Sequence, residues 1–349
     1  MIYRKVSLLL CIAFLSISAT MQLNVKASPA IIKVPQDYTT IQEAINQASP
    51  GDTIQVSSGT YQESLFIDKT LTLKGEDKNN TILEGSGSDC TVVLANLTTV
   101  NISGFTIKGG GNGIWLEKCS GSVITGNNIT AKSRGIWLHY SHNNTVSDNT
   151  VMGNFSWRGI VLCGQSSNNT IIRNTIKDNE EGLGITGENN FIIHNNFINN
   201  QNQAVMIESH YNAWNNTYEG NYWSDYNGTD HYSGIVQNIT GSDGIGDTQH
   251  VIDDNNIDHY PLMVPWASEL VKADLNDDGV INILDISIIA IAFGSTPEDP
   301  NWNEMADLNN DDFPGPKRVV DNISREGYQV KIIHPSSDYS TAFVRKRVK

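Results

Sequence analysis

The sequence predicts an all-β protein: a right-handed parallel β-helix solenoid with an N-terminal capping helix, followed by a small α-helical calcium-loop module. Three observations predict it. A short apolar phrase recurs every 22 to 24 residues, Asn and Gly crowd the turns between its copies, and a twelve-residue acidic loop follows the last copy.

The chain of 349 residues opens with Arg4 and Lys5, an apolar run from Val6 to Ile17, and small residues at Ala19 and Ala27. That run is too short to span a bilayer, so residues 1–27 read as a secretory signal peptide and the mature chain starts near Ser28. A formal net charge of -15 argues against nucleic acid or an anionic membrane surface as partner. Once Cys11 leaves with the leader, Cys90, Cys119 and Cys163 remain. An odd number at wide spacing is no disulfide framework, so packing must hold the fold.

Thr40 and Glu43 are spaced as a capping box, and Ile41, Ala44, Ile45 and Ala48 fall at i, i+3, i+4 and i+7, which predicts one short helix. Ser49 to Asp52 stops it, and Thr53 to Val56 begins an alternation of period two. From there to about Tyr211 the chain reads as short strands and turns. The phrases GIWLEKC at Gly113, GIWLHYS at Gly135, GIVLCGQ at Gly159, GLGITGE at Gly182 and AVMIESH at Ala204 are spaced by 22, 24, 23 and 22 residues. A second register, at Ile124, Val146, Ile171 and Ile192, repeats in step, giving two apolar strands per unit. A leucine-rich repeat would need a Leu framework and a helical segment in each unit, and neither is visible. A β-helix of about seven coils over residues 28–265 fits the pattern, its like residues stacking at about 4.8 Å. Asn127, Asn149, Asn174 and Asn195 fall at one repeat position, where stacked amides would hydrogen-bond along the column.

The stretch VPQDYTTIQEAINQASPGDTIQVSSGTYQE, with the coils after it, resembles the pectin-lyase-like β-helix superfamily and, most closely, its NosD-like secreted members, over about Ile32 to Val264. The resemblance implies a helix capping the first coil. The aromatic block from Tyr211 to Gly228 and the segment from Gly241 to Met263 resemble the closing segment of archaeal proteins of this kind. It also implies copper-site maturation, for which His139, His142, Cys163 and Met206 are candidates, although they scatter over several coils.

If alternation holds, each GIWL-type strand points its Ile and Leu into the bore and its third residue outward. One outward column then holds Trp115, Trp137, Val161, Gly184 and Met206, and another holds Glu117, His139, Cys163, Thr186 and Glu208, with Arg134 and Arg158 preceding the glycines. Trp115, Trp137, Arg134, Arg158, Glu117 and His139 form the expected polysaccharide-binding set. Indole faces would meet apolar sugar faces, and guanidinium groups would pair with uronate carboxylates. Catalytic residues are not identifiable. The chain has no Gly-His-Gly, and Glu117 and Glu208, four coils or about 19 Å apart, are too distant for a carboxylate pair working at roughly 5 to 9.5 Å.

Further on, Asp274, Asn276, Asp278, Val280, Asn282 and Asp285 occupy positions 1, 3, 5, 7, 9 and 12 of a calcium loop, with Gly279 at position 6. That spacing winds oxygen donors around one point, and a helix-like run from Ile286 to Phe293 follows. The absent entering helix, Asp285 in place of Glu, and a partial second loop resemble a dockerin, which implies calcium as cofactor and a cohesin-like scaffold protein as partner. In the second loop only Asp307, Asn309 and Asp311 match. Asp312 replaces the Gly, and Arg318, which cannot ligate a cation, sits at the last position. The module spans 266–312, and the tail at 313–349 is divergent and basic.

Sequons occur at Asn96, Asn101, Asn143, Asn168 and Asn238, a pattern that Asn-rich turns generate by themselves. The expected function is an extracellular protein that binds or processes polysaccharide while docked to a scaffold or surface partner. A structural or adhesive solenoid without small ligand, and a polysaccharide lyase or hydrolase, are the competing classes.

Overall fold

The computed structural model describes residues 28–87, 90–96, 99–153, 157–207 and 210–267, together with the backbone of two strands near the end of the chain. The residues expected to form the leader and the two calcium loops lie outside the described residues, as does Glu208. Two compact units are present. One runs to Ile192 and takes in Phe197–Trp214 and Val251–Ile257, and the other holds Ile193–Asn196, Asn215–His250 and the chain from Asp258.

The first unit is a parallel β-solenoid with three strands per turn, not two, because each repeat bends twice between its apolar segments. The first sheet stacks Ile31–Val34, Thr53–Val56, Thr72–Gly75, Asn101–Ser103, Val123–Thr125, Thr145–Ser147, Thr170–Ile172 and Phe191–Ile193. Those eight strands mark about eight turns, one more than the repeat phrases predict, since the early coils lack the GIWL signature. The second sheet stacks Leu65–Ile67, Val92–Ala95, Asn112–Glu117, Arg134–His139, Arg158–Cys163, Glu181–Ile185 and Asn202–Met206. A third starts at Gly59–Tyr61 and continues through Thr81–Glu84, Thr106–Lys108, Asn128–Thr130, Thr150–Met152 and Thr175–Lys177.

Register piles like on like. Ile54, Leu73, Ile102, Ile124, Val146 and Ile171 form one buried column, and Leu94, Leu116, Leu138 and Leu162 another. Each fully buried Leu or Ile contributes about 1.5–3 kcal/mol, and repeating the contribution coil after coil is what makes so thin a bore stable.

Polar ladders run beside the apolar ones. Asn127 donates from its backbone N–H and its Nδ2 to Asn149 Oδ1 at 3.0 and 3.1 Å, and Asn149 repeats this to Asn174 at 3.1 Å from both. A second ladder, which the sequence reading missed, passes through Asn144, Asn169, Asn190, Asn212 and Asn256. Its last amide oxygen also accepts from Trp214 Nε1 at 3.1 Å. Asn suits both columns because its amide carries donors and an acceptor together. The residue before each first-ladder Asn is left-handed, as at Gly126, Asp148 and Arg173, so one turn geometry repeats along the column.

The helix is Ile41–Gln47, with Ile41, Ala44 and Ile45 buried against the first strands of the solenoid. Thr40 Oγ1 accepts from the Glu43 N–H at 3.2 Å, as the capping pattern predicts. The other half of the cap comes from Glu63, whose carboxylate accepts from the Ile41 and Gln42 N–H groups at 2.9 Å each. A residue 22 positions away thus satisfies two first-turn N–H groups that a local box, returning Glu43 to the Thr40 N–H, would leave open.

In the second unit Trp223 is buried and stacks on His250 at 4.3 Å. Asn221 donates to Asp258 Oδ2 from its backbone N–H at 2.7 Å and from Nδ2 at 3.3 Å, and Trp223 Nε1 donates to the same oxygen at 2.9 Å. Asp230, Asp243 and Asp247 are taken up by backbone N–H groups of their own loop, with Asp247 accepting from His231 at 2.8 Å and Tyr232 at 3.0 Å. Those carboxylates hold the loop in place. Trp266 exchanges hydrogen bonds with Asn196 at 2.6 and 3.0 Å and stacks on His194. In the basic tail Tyr328–Ile333 and Thr341–Lys346 pair as antiparallel strands.

Candidate functional site

The outer face of the second sheet gathers all six residues expected to bind a sugar chain. Its strands are the longest of the solenoid, up to six residues where most others have three or four, so this face offers the broadest regular surface. Three columns run along it. The middle one is Phe66, Val93, Trp115, Trp137, Val161, Gly184 and Val205. It corrects the expected register at its far end: Val205, not Met206, stands beside Gly184, and Met206 aligns with Ile185 of the bore column, because the last repeat is one residue out of phase.

One flank is Asn112, Arg134, Arg158, Glu181 and Asn202, and the other is Ala95, Glu117, His139 and Cys163. Both Arg–Arg and Glu–His–Cys neighbours stand in the register expected from the repeats. Their side chains, however, are engaged mainly with one another. Arg158 pairs with Glu181 at 2.8 Å, a partner the sequence reading did not weigh although Glu181 sits at the same phrase position as Arg158. His139 Nδ1 meets Glu117 Oε2 at 2.5 Å. Trp137 Nε1 donates to Cys163 Sγ at 2.8 Å.

The two indoles correct a second expectation. Trp115 and Trp137 stack on each other, centroids 4.8 Å apart and planes 11° from parallel, so the ring faces between them are closed to any ligand. What the column presents outward is indole edge. Arg134 lies over the Trp137 ring with its guanidinium carbon 4.5 Å from the centroid, a cation–π contact that holds the charge at the surface without neutralising it. Two donors on this face, Trp115 Nε1 and Arg134 Nε, are buried and have no protein acceptor. The surface can therefore offer a cation, an apolar strip and a carboxylate–imidazole pair to an elongated ligand.

A family model for the periplasmic copper-binding protein NosD matches residues 36–228, more than half of the chain. The chain belongs to the NosD family. Among curated relatives, this NosD-family chain is 33% identical to a cell surface glycoprotein of Methanothermus fervidus over 164 residues, which is 44% of the chain and 27% of the relative. It is 32% identical to the probable ABC transporter binding protein NosD of Stutzerimonas stutzeri over 107 residues, 30% of the chain and 22% of the relative. The chain thus spans about a quarter of the length of the curated relatives it matches. Among solved structures, an alginate lyase from Paenibacillus superposes with a TM-score of 0.41 at 18% identity, over 52% of this chain and 76% of that one. A pectin methylesterase from carrot gives 0.37 at 13%, over 56% and 72%.

The family's description includes copper, and the residues can be tested against it. Among the described residues no three His, Cys, Asp or Glu side chains converge where a metal ion could sit. His139 and Cys163 are neighbours in register, but the imidazole is taken by Glu117 and the thiol by Trp137. His142 is hydrogen-bonded to Ser167, and Met206 belongs to the bore column. The described side chains do not fit a copper centre. No helix among the described residues is long and apolar enough to cross a membrane.

Proposed function

We propose that this protein works outside the cytoplasm and holds an extended acidic polysaccharide along the outer face of its second sheet. The observation that carries this reading is the placement of Arg134: its guanidinium lies over Trp137, next in register to Arg158, on the flank of a continuous apolar column. A uronate carboxylate would pair with Arg134, and a chain running along the solenoid axis would lay its apolar edges on the indole edges and on Phe66, which is 51% exposed. The name of the cell-surface relative fits that location.

The calcium loop at Asp274, Asn276, Asp278, Val280, Asn282 and Asp285 would anchor this surface to a cohesin-like scaffold protein, with Asp307, Asn309 and Asp311 as a weaker second loop. That part of the reading rests on ligand spacing in the sequence alone. The helix Ile41–Gln47 would serve as the end cover of the solenoid, keeping its first coil from pairing with other edges.

Affinity electrophoresis of the full chain through gels containing alginate, polygalacturonate or neutral glucan tests the binding. Retardation by a polyuronate, weakened by Arg134→Ala and by Trp137→Ala, is the expected result. Equal mobility in all gels, or retardation indifferent to both substitutions, would sink the reading.

A further inference from the structure

The turn that leads from the second sheet into the first repeats on successive coils as Tyr140 to Asn144 and Gln165 to Asn169. Its last residue, Asn144 or Asn169, is a buried rung of the second ladder, with its amide fully engaged. The residue just before, Asn143 or Asn168, has the opposite character. Both are exposed, both are left-handed with φ of 56° and 57°, and neither side-chain amide has a hydrogen-bond partner among the described residues. The backbone around them is nonetheless held. Asn143 N–H donates to Ser167 O at 3.2 Å, and the His142 ring bonds to Ser167. Both positions open the sequence Asn-Asn-Thr, and the Thr145 and Thr170 side chains point outward, half-buried on the first sheet.

Of the other sequons within the solenoid, Asn96 is likewise exposed and left-handed with φ of 54°, but its Leu97 and Thr98 lie outside the described residues, as does the sequon at Asn154; those at Asn79, Asn101 and Asn128 are spent differently. Asn101 is half-buried within the first sheet, between Thr72 and Val123 in register, and Asn128 donates to Asn79 Oδ1 at 3.5 Å. Thr81, the hydroxyl residue of the sequon at Asn79, is fully buried. Outside the solenoid, Asn215 is held by its contacts with Asn216 and His259, whereas Asn227 and Asn238 are exposed.

We propose that Asn143 and Asn168 are N-glycosylation acceptors, adjacent rungs of a glycan-bearing edge along the solenoid. The donor class is a polyprenyl-phosphate-linked oligosaccharide. The Nδ2 of Asn143 or Asn168 attacks the sugar C1, the C1–O bond to the lipid phosphate breaks, an N–C1 bond forms, and the lipid (pyro)phosphate leaves with the electron pair while the amide gives up one proton. An exposed left-handed turn with a free amide suits this because the bulky product stays in solvent and no rung of the ladder is disturbed. The edge lies only four residues beyond His139, so glycans here would wall one flank of the candidate face without covering its middle column. The assignment stands apart from the polysaccharide reading, since nothing in it requires that face to bind.

The test is to secrete the full chain from a host that glycosylates N-x-S/T sites, release glycans with a peptide-N-glycosidase in ¹⁸O water, and map the resulting labelled aspartates by mass spectrometry. Labels at positions 143 and 168 but not at 101 or 128 are expected. A gel-mobility gain in N143Q/N168Q, with the far-ultraviolet dichroism of the parent, should accompany them. No label at either position overturns the proposal, and so does equal labelling of Asn101 and Asn128, because the fold would then not be what selects the acceptors.

Discussion

Trp115 and Trp137 stand on successive coils with their ring centroids 4.8 Å apart and their planes 11° from parallel, the spacing the backbone ladder itself imposes on like residues in register. The pair is therefore part of the solenoid's own packing as well as part of its surface. Truncating Trp137 removes the stack, the support beneath Arg134 and the donor to Cys163 at once. A loss of about 1–2 kcal/mol is expected, the sum of one aromatic pair and one exposed cation–π contact. Urea unfolding of Trp137→Ala reads it, and the near-ultraviolet dichroism of the coupled indoles should collapse with the native chain still folded. A midpoint equal to the parent's would show that the stack stabilises nothing.

The Asn ladder makes a larger prediction. Asn149 accepts from both the backbone N–H and Nδ2 of Asn127, and donates to Ile124 O at 2.8 Å and to Asn174 Oδ1. Asn149→Ala takes the Oδ1 acceptor from the buried Asn127 N–H and the Nδ2 donor from the Ile124 carbonyl, while Asn127 Nδ2 keeps its bonds to Ile102 O and Thr125 O, and each orphaned group costs about 1–3 kcal/mol. Two such groups at mid-range give a loss of about 4 kcal/mol. Chemical denaturation of the variant, compared with Asn127→Ala one coil away, would expose a weaker ladder if both losses stayed within that of a surface substitution.

Much of this was legible beforehand, and the reasons are physical. The spacing of the GIWL phrases revealed the stacking because each coil must bury the same two side chains, Ile114 and Leu116 and their successors. The ladder through Asn127, Asn149 and Asn174 showed for the same reason. Asn144, Asn169 and Asn190 escaped notice because each follows another Asn, and only the fold separates the exposed member from the buried one. The third strand of each turn was hidden by its brevity, as Asn128–Thr130 carries a single inward side chain, Ile129. The stacking of Trp115 on Trp137 could have been anticipated from their identical repeat position. The Arg158–Glu181 pair needed one more column to be compared.

Asp258 gives the second unit a pH dependence with a definite sign. Burial raises its carboxyl from the ordinary 3.8 to about 6, against the opposing pull of its hydrogen bonds from Trp223, Asn221 and Tyr260. A folded-state value above the unfolded one means the contribution is fully present below about pH 4 and is lost as pH rises through about 6. At about 1.4 kcal/mol per pH unit of difference, the loss amounts to about 3 kcal/mol. His250 works the other way, since burial lowers its imidazole against the attraction of Asp225, so its contribution is lost as pH falls below the unfolded value of 6.5. The Asp258 component must therefore be read by difference. Unfolding of the parent minus that of Asp258→Asn, measured at pH 4, 5, 6 and 7, should decline across that range, and a flat difference would remove the carboxylate from the account.

The proposed calcium loop rests on ligand spacing in the sequence alone. Five side-chain oxygens and the Val280 carbonyl around Gly279 would make a complete set, while the echo at Asp307, Asn309 and Asp311 has Asp312 in place of the turn Gly and Arg318 in place of the final ligand. Titration calorimetry of the full chain should therefore find one principal calcium site. Asp274→Ala, which removes the first ligand and a full negative charge, should weaken it by about tenfold or more, and Asp307→Ala should leave it unchanged. Two sites of equal affinity would mean that the second loop recruits oxygens the spacing does not reveal. Binding unaffected by Asp274→Ala would place the cation elsewhere, and with it the case for a calcium-dependent scaffold partner would fall.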